Sequence, residues 1–216
     1  MSVVAFRTKA EIERAVPDAV AHLSRGGLVA HPTETVYGLG SRALESDVAK
    51  LRRLKGRLSG DPFLLLIDSI QMARGLGLRF PPYGRELAER YWPGPLTLVL
   101  GGGEGVPNSL RGAAGGVAVR WTPHAGAARL VAALGEPITS TSANLHGGET
   151  APTAGAVREL FEAAVRDGVL MVLDGGSLEG GRPSTVVDCM GRVPRLIREG
   201  AVSWSEITRF VGSPVQ

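Results

Sequence analysis

Lysine is nearly missing from this chain. Of 24 basic residues only Lys9, Lys50 and Lys55 are lysines, and the other 21 are arginines. On solvated surface the two serve equally well, so coding bias accounts for most of the imbalance. Where chemistry needs a compact ammonium rather than a planar fork they are not interchangeable, which singles out a lysine inside a polar motif. Cysteine is scarcer still. Cys189 is alone, which excludes an internal disulfide, and its apolar context VVDCM reads as a core thiol. Aromatic residues are 5% of the chain and no basic run is interleaved with them, which argues against a stacking platform for single-stranded nucleic acid. The formal net charge of +3 gives no case for nucleic-acid binding from bulk charge. No apolar run approaches the ~18 residues of a membrane span. The N-terminus MSVVAFRTKAEIERA turns charged after six residues, too early for a signal peptide. These absences predict a soluble, cytoplasmic protein with no membrane partner.

What is present is a foldable chain. With 216 residues and 44% hydrophobic content it fits one substantial domain, 1–216, and it is not a disordered tail. Thirty glycines and 14 prolines place much of the architecture in turns. Thr8 followed by Glu11 predicts a capping box, and Ile12, Val16, Ala19, Val20 and Leu23 share one face of the helix that follows. Residues 28–30 read as a strand, Ser46 as the cap of a second helix ending at Lys55-Gly56-Arg57, and 63–67 as a buried strand. Residues 84–91 read as a helix, 96–100 as a strand, 101–116 as a mobile glycine-rich loop, 117–121 as a strand and 124–134 as a helix. Beyond these come a strand over 137–141, a helix over 154–166, a strand over 169–173, a strand pair over 185–189 and 195–197, and a helix over 203–210. Alternating elements that close on two adjacent strands predict an α/β fold with a mixed sheet, not a strictly parallel one.

Polar, small and glycine residues concentrate where strands end, the place where α/β sheets bind ligands. The stretch HPTETVYGLG sets Thr33 and Thr35 about Glu34, with Gly38 and Gly40 allowing close backbone approach; it also suits a plain polar turn. Lys55 and Arg57 combine a point charge with a bidentate fork, which suits a polyphosphate, or else complement a helix C-terminus. Ser140, Ser142 and Asn144 after a strand offer hydroxyl and amide groups to a ribose or phosphate, or cap a helix. Gly180-Gly181 beside Ser184 and Thr185, followed by Arg198, offers an anion-binding nest. GxxxxGK[ST], GxGxxG after a strand and GxSxG are all absent. His22, His31, His124 and His146 are scattered without metal-ligand spacing. The residues alone point to a protein binding a phosphorylated or carboxylated small molecule.

Taken in order, HPTETVYGLG, KGR, RYWPGPLT, VAVRW, STSAN, RPSTVVD and LIREGA resemble the YrdC-like family of threonylcarbamoyl-AMP synthases, over about residues 28–201. Seven motifs in family order are far more specific than any one of them. The resemblance implies a twisted mixed parallel/antiparallel sheet with flanking helices around a large positively charged cavity, in a form without the extra C-terminal domain of some relatives. It implies a nucleotidyltransferase that joins L-threonine, bicarbonate (or CO2) and ATP into L-threonylcarbamoyladenylate and pyrophosphate. That product is the donor for N6-threonylcarbamoyladenosine at position 37 of tRNAs, with separate proteins making the transfer. By the family's KxR and SxN patterns, Lys55, Arg57, Ser142, Asn144 and Arg198 fall on the ATP side, with Lys55 and Arg57 catalytic. Thr33, Arg120, Ser140 and Ser184 fall on the threonine side. Magnesium comes with ATP, and no protein metal site is implied. This chain has Leu58 where many relatives have proline after KxR, no histidine in the strand near Leu66, and His146 where serine is usual. Two other readings fit the same residues: an RNA-binding module using the basic concavity, and a divergent relative acting on another carbamoyl or adenylate compound.

Overall fold

In a computed structural model of the chain, residues 3–56, 62–145, 147–178 and 180–211 are described. The elements in chain order are β1 (Val3–Ala5), α1 (Lys9–Ser24), β2 (Leu28–His31), β3 (Gly38–Gly40), α2 (Glu45–Leu54), β4 (Leu64–Ile67), α3 (Ile70–Gly75), β5 (Leu78–Arg79), α4 (Pro82–Tyr91) and β6 (Leu96–Gly102). A 3-10 turn (Asn108–Leu110) follows, then β7 (Val117–Trp121), α5 (Ala125–Leu134), β8 (Ile138–Ser142), α6 (Ala154–Leu160), α7 (Glu162–Arg166), β9 (Leu170–Asp174), β10 (Thr185–Asp188), β11 (Arg195–Arg198) and α8 (Trp204–Val211). The strands form one sheet in the order β1-β9-β2-β3-β8-β4-β7-β6-β10-β11, with β5 paired to β6. It is mixed, as the sequence predicts: β4 runs parallel to β7 and antiparallel to β8.

The capping box forms. The Glu11 N–H donates to Thr8 Oγ1 at 3.3 Å and the Thr8 N–H donates to Glu11 Oε2 at 2.8 Å. Other expectations need correction. Helix α2 begins at Glu45 with Leu44 in the cap position, and the Ser46 hydroxyl donates to Asp47 within the first turn instead of capping. The helix expected over 154–166 breaks at Phe161 into α6 and α7. The glycine-rich loop is pinned, because Arg111 donates to the carbonyls of Gly102, Gly103 and Val106. The HPTETVYGLG turn contains a strand, β3, hydrogen-bonded to β2 on one side and β8 on the other.

Strand periodicity sends alternate residues to opposite faces. One face carries Leu65, Ile67, Leu96, Leu98, Val119 and Val187 into the larger core. The other face is divided. Over β2, β9 and the near ends of β4 and β8 it is covered by α1 and α5, whose Val16, Leu23 and Leu130 pack on Val29, Leu66, Ile138 and Leu173. Each such fully buried aliphatic contributes roughly 1.5–3 kcal/mol relative to exposure. Over β7, β6 and β10 the same face has no such cover among the described residues, and there the cavity lies.

Candidate functional site

The cavity has a volume of about 680 Å³, within the range of small-molecule sites. Its floor follows from strand register. Leu64 stands opposite Ser140, Val99 opposite Ala118, Thr97 opposite Val186, and Val186 opposite Arg198. All of these residues line the cavity, together with Arg120, which lies two residues after Ala118 on the same face. The floor is therefore one continuous row of side chains across β8, β4, β7, β6, β10 and β11. Two arginines, a set of hydroxyls and a short apolar stretch share it.

Arg120 is 4% exposed. Its Nε donates to the Gly94 carbonyl at 3.2 Å, and its Nη2 is paired with Glu34 Oε1. Burial and the neighbouring Arg198 charge push its pKa down to about 10, which leaves it cationic at neutral pH. Arg198 is exposed on β11, partial desolvation lowers its pKa, and its Nη2 donates to the Ser184 carbonyl at 2.9 Å. Ser184 Oγ and Thr97 Oγ1 lie 2.8 Å apart. Thr33 lines the cavity, but its hydroxyl is committed to its own loop. It donates to the Val36 carbonyl at 2.7 Å and accepts from the Thr35 and Val36 N–H groups. Tyr37, fully buried, anchors that loop: its hydroxyl donates to the Gly176 carbonyl at 2.8 Å and accepts from the Gly175 N–H at 3.0 Å.

Lys55 closes α2 and is 3% exposed. Gly56 follows with φ +66°, the left-handed conformation that lets the chain turn away sharply from the helix end. The Lys55 ammonium donates to the Ser142 carbonyl at 2.6 Å, the Asn144 carbonyl at 3.1 Å and Asn144 Oδ1. The Ser142 hydroxyl in turn donates to Asn144 Oδ1 at 2.7 Å. Ser142 lines the cavity, so Lys55 stands directly behind its wall.

The structure thus gathers Thr33, Arg120, Ser140, Ser142, Ser184 and Arg198 on one cavity, and sets Lys55 and Asn144 against Ser142. Arg57 lies outside the described residues. Sequence reasoning missed Thr97, although it ends the quoted motif RYWPGPLT, and it missed the pairing of Glu34 with Arg120 and Thr122. Among the described residues no group of three or more His, Cys, Asp and Glu could hold a metal ion. No helix among them is long and apolar enough to cross a membrane.

This cavity sits in a chain whose residues 21–200 match the Sua5/YciO/YrdC family, described as "Telomere recombination". The chain belongs to that family. It is 38% identical over 195 residues to a threonylcarbamoyl-AMP synthase of Pyrococcus abyssi, covering 90% of this chain and 56% of that protein. It is 41% identical over 177 residues to the threonylcarbamoyl-AMP synthase of Thiobacillus denitrificans, covering 82% and 92%. The crystal structure of P. abyssi Sua5 complexed with L-threonine superposes with a TM-score of 0.90 at 36% identity, covering 99% of this chain and 62% of that one. The chain therefore spans little more than half of the P. abyssi protein and nearly all of the T. denitrificans one. Escherichia coli YciO, at 24% identity and a TM-score of 0.82, shares the fold.

Of the three departures from the usual family pattern, Leu58 and His146 lie outside the described residues, and the structure places the one at Leu66. Leu66, where many relatives have histidine, is in register with Arg120 but fully buried in the cluster under α1 and α5, off the cavity wall. His31 is wholly buried behind Gly38, with Nδ1 3.4 Å from the Pro32 carbonyl oxygen and no partner on Nε2. Burial foremost, helped by the charges of His124 and Arg120, pushes its pKa down to about 4. An unfolded histidine takes its proton near 6.5, so between about pH 6.5 and 4 the unfolded chain binds more protons than the native one. Stability then rises with pH across that window and is lost as pH falls through it, by up to about 3 kcal/mol. Urea midpoints should drop between pH 7 and pH 5, and His31→Asn should flatten much of that drop. An unchanged slope in the variant would assign the effect to other groups.

Proposed function

We propose that the protein is an L-threonylcarbamoyladenylate synthase, forming that adenylate and pyrophosphate from L-threonine, bicarbonate (or CO2) and ATP. The observation that carries the reading is the row of Arg120, Arg198 and hydroxyls across an uncovered sheet face, with the Lys55 ammonium behind Ser142, in a chain of this family. The relatives named threonylcarbamoyl-AMP synthase, and the neighbouring structure holding L-threonine, support it.

In this reading Arg120 takes the carboxylate of threonine through its planar fork, with Ser140, Ser184 and Thr33 around it. Lys55, with Ser142, Asn144 and Arg198, faces the triphosphate, and Arg57 joins them. An oxygen of N-carboxythreonine attacks the α-phosphorus and pyrophosphate leaves. Phosphoryl-type transfer depends on positioning and on charge placed where charge develops, so no serine or cysteine nucleophile is required. Magnesium enters as part of the ATP substrate. The product then serves tRNA modification, carried out by separate proteins.

The test is pyrophosphate release from ATP with threonine and bicarbonate omitted in turn. Release should require both. Release indifferent to threonine overturns the reading.

A further inference from the structure

Glu34 is a carboxylate at the heart of the first motif for which the reaction above has no use. Both its oxygens are occupied. Oε1 pairs with Arg120 Nη2, and Oε2 accepts from the Thr122 hydroxyl at 2.7 Å. Thr122 is fully buried and is fixed in turn by the His124 N–H, which donates to its Oγ1 at 3.2 Å. Arg120 Nε is held separately by the Gly94 carbonyl. The guanidinium is therefore held by one hydrogen bond at Nε and one ion pair at Nη2, which orient it before any ligand arrives.

Placement matters as much as contact. Thr33 and Thr35 line the cavity, but Glu34 between them does not, so the carboxylate paired with Arg120 lies off the cavity wall. Among the described residues the wall carries two arginines, Arg120 and Arg198, and no acidic side chain. An exposed ion pair would contribute little. Here the arginine side chain is 5% exposed and its partner 22%, so each charge depends on the other. With Glu34 offsetting Arg120, the threonine end of the cavity is balanced for a ligand that carries one carboxylate. A dianion would meet the same guanidinium with a like charge already paired to it.

We propose that Glu34 is a positioning residue: it fixes the Arg120 plane for a monocarboxylate and discriminates against phosphate-like dianions at that end of the cavity. The inference rests on the synthase reading and deepens it by naming what sets the ligand class.

The test is calorimetric titration of L-threonine into the unaltered protein, Glu34→Gln and Thr122→Val, with inorganic phosphate measured as a competitor of threonine. Glu34→Gln should weaken threonine about tenfold and strengthen phosphate competition about tenfold, while the KM for ATP and kcat stay within about twofold. Thr122→Val keeps the charge and loosens the grip, so it should weaken threonine a few-fold and leave phosphate competition unchanged. A folded Glu34→Gln protein that binds threonine as before, or that loses both ligands equally, overturns the proposal. Should Glu34→Gln fail to fold, Thr122→Val decides, and unchanged threonine affinity there overturns it. No threonine binding by the unaltered protein overturns the synthase reading itself, and this inference with it.

Discussion

A Lys55→Met variant should stay folded and lose threonine-dependent pyrophosphate release by about a hundredfold or more. The ammonium is buried at the end of α2 and spends its donors on the Ser142 carbonyl, the Asn144 carbonyl and Asn144 Oδ1. It therefore shapes the strand-to-loop turn that carries the SxN motif and sets a fixed positive charge behind the cavity wall. Removing one preorganised electrostatic contact of this kind costs about 10²–10³ in rate. The stability cost is smaller. Acceptors left without the ammonium cost about 1–3 kcal/mol, less if water replaces it. Lys55→Arg should not rescue activity, because a planar fork cannot meet three acceptors clustered about a compact ammonium. Initial rates alongside the thermal unfolding midpoint check this. Undiminished turnover in a folded Lys55→Met protein removes Lys55 from the site.

The second large effect is expected at Arg120. Arg120→Lys keeps the charge but loses the fork, so the KM for threonine should rise by about a hundredfold while kcat and the KM for ATP change little. Two of the guanidinium's nitrogens are already engaged, Nε with Gly94 and Nη2 with Glu34, and a lysine ammonium, a point charge on a flexible stem, cannot offer a carboxylate the two parallel N–H donors of a planar fork. Such a split between KM and kcat marks lost binding of substrate rather than of the transition state. Arg120→Ala should in addition destabilise the fold, because it empties a buried position and unpairs Glu34, by less than a fully buried pair would cost since Glu34 reaches solvent. An unaltered threonine KM in Arg120→Lys would move the carboxylate subsite elsewhere.

Much of this arrangement is legible along the chain. The capping box, the apolar run before Ile67 and the polar residues that end β8 all follow from local pattern, because each is decided within a few residues. The failures have one cause. Gly38-Leu39-Gly40 has little strand propensity of its own and becomes β3 because β2 and β8 offer it hydrogen bonds on both sides. The sequence also reads Gly38 as allowing close backbone approach. In the structure Gly38 lines the cavity, and a Cβ there would stand 2.8 Å from Ser140 Oγ and 3.0 Å from the His31 ring. Ser46 is favoured as a cap by residue type, yet the helix starts one residue before it. The partnership of Glu34 with Arg120 joins residues 86 positions apart. No local rule encodes it, since strand order alone brings them together.

The uncovered part of the sheet has a thermodynamic meaning. Where α1 and α5 press on β2 and β9, apolar burial secures the strands whether or not anything is bound. Over β6, β7 and β10 no helix among the described residues presses on that face, and a bound ligand would bury what is otherwise open. Catalytic space is held open at the expense of cohesion, so occupancy and folding draw on the same free energy. Ligand at a hundred times its Kd adds about 2.7 kcal/mol to the stability of the whole molecule. Amide hydrogen exchange should register that gain first in the three strands whose backbone is otherwise the most lightly roofed, with the helix-covered strands nearly indifferent to it.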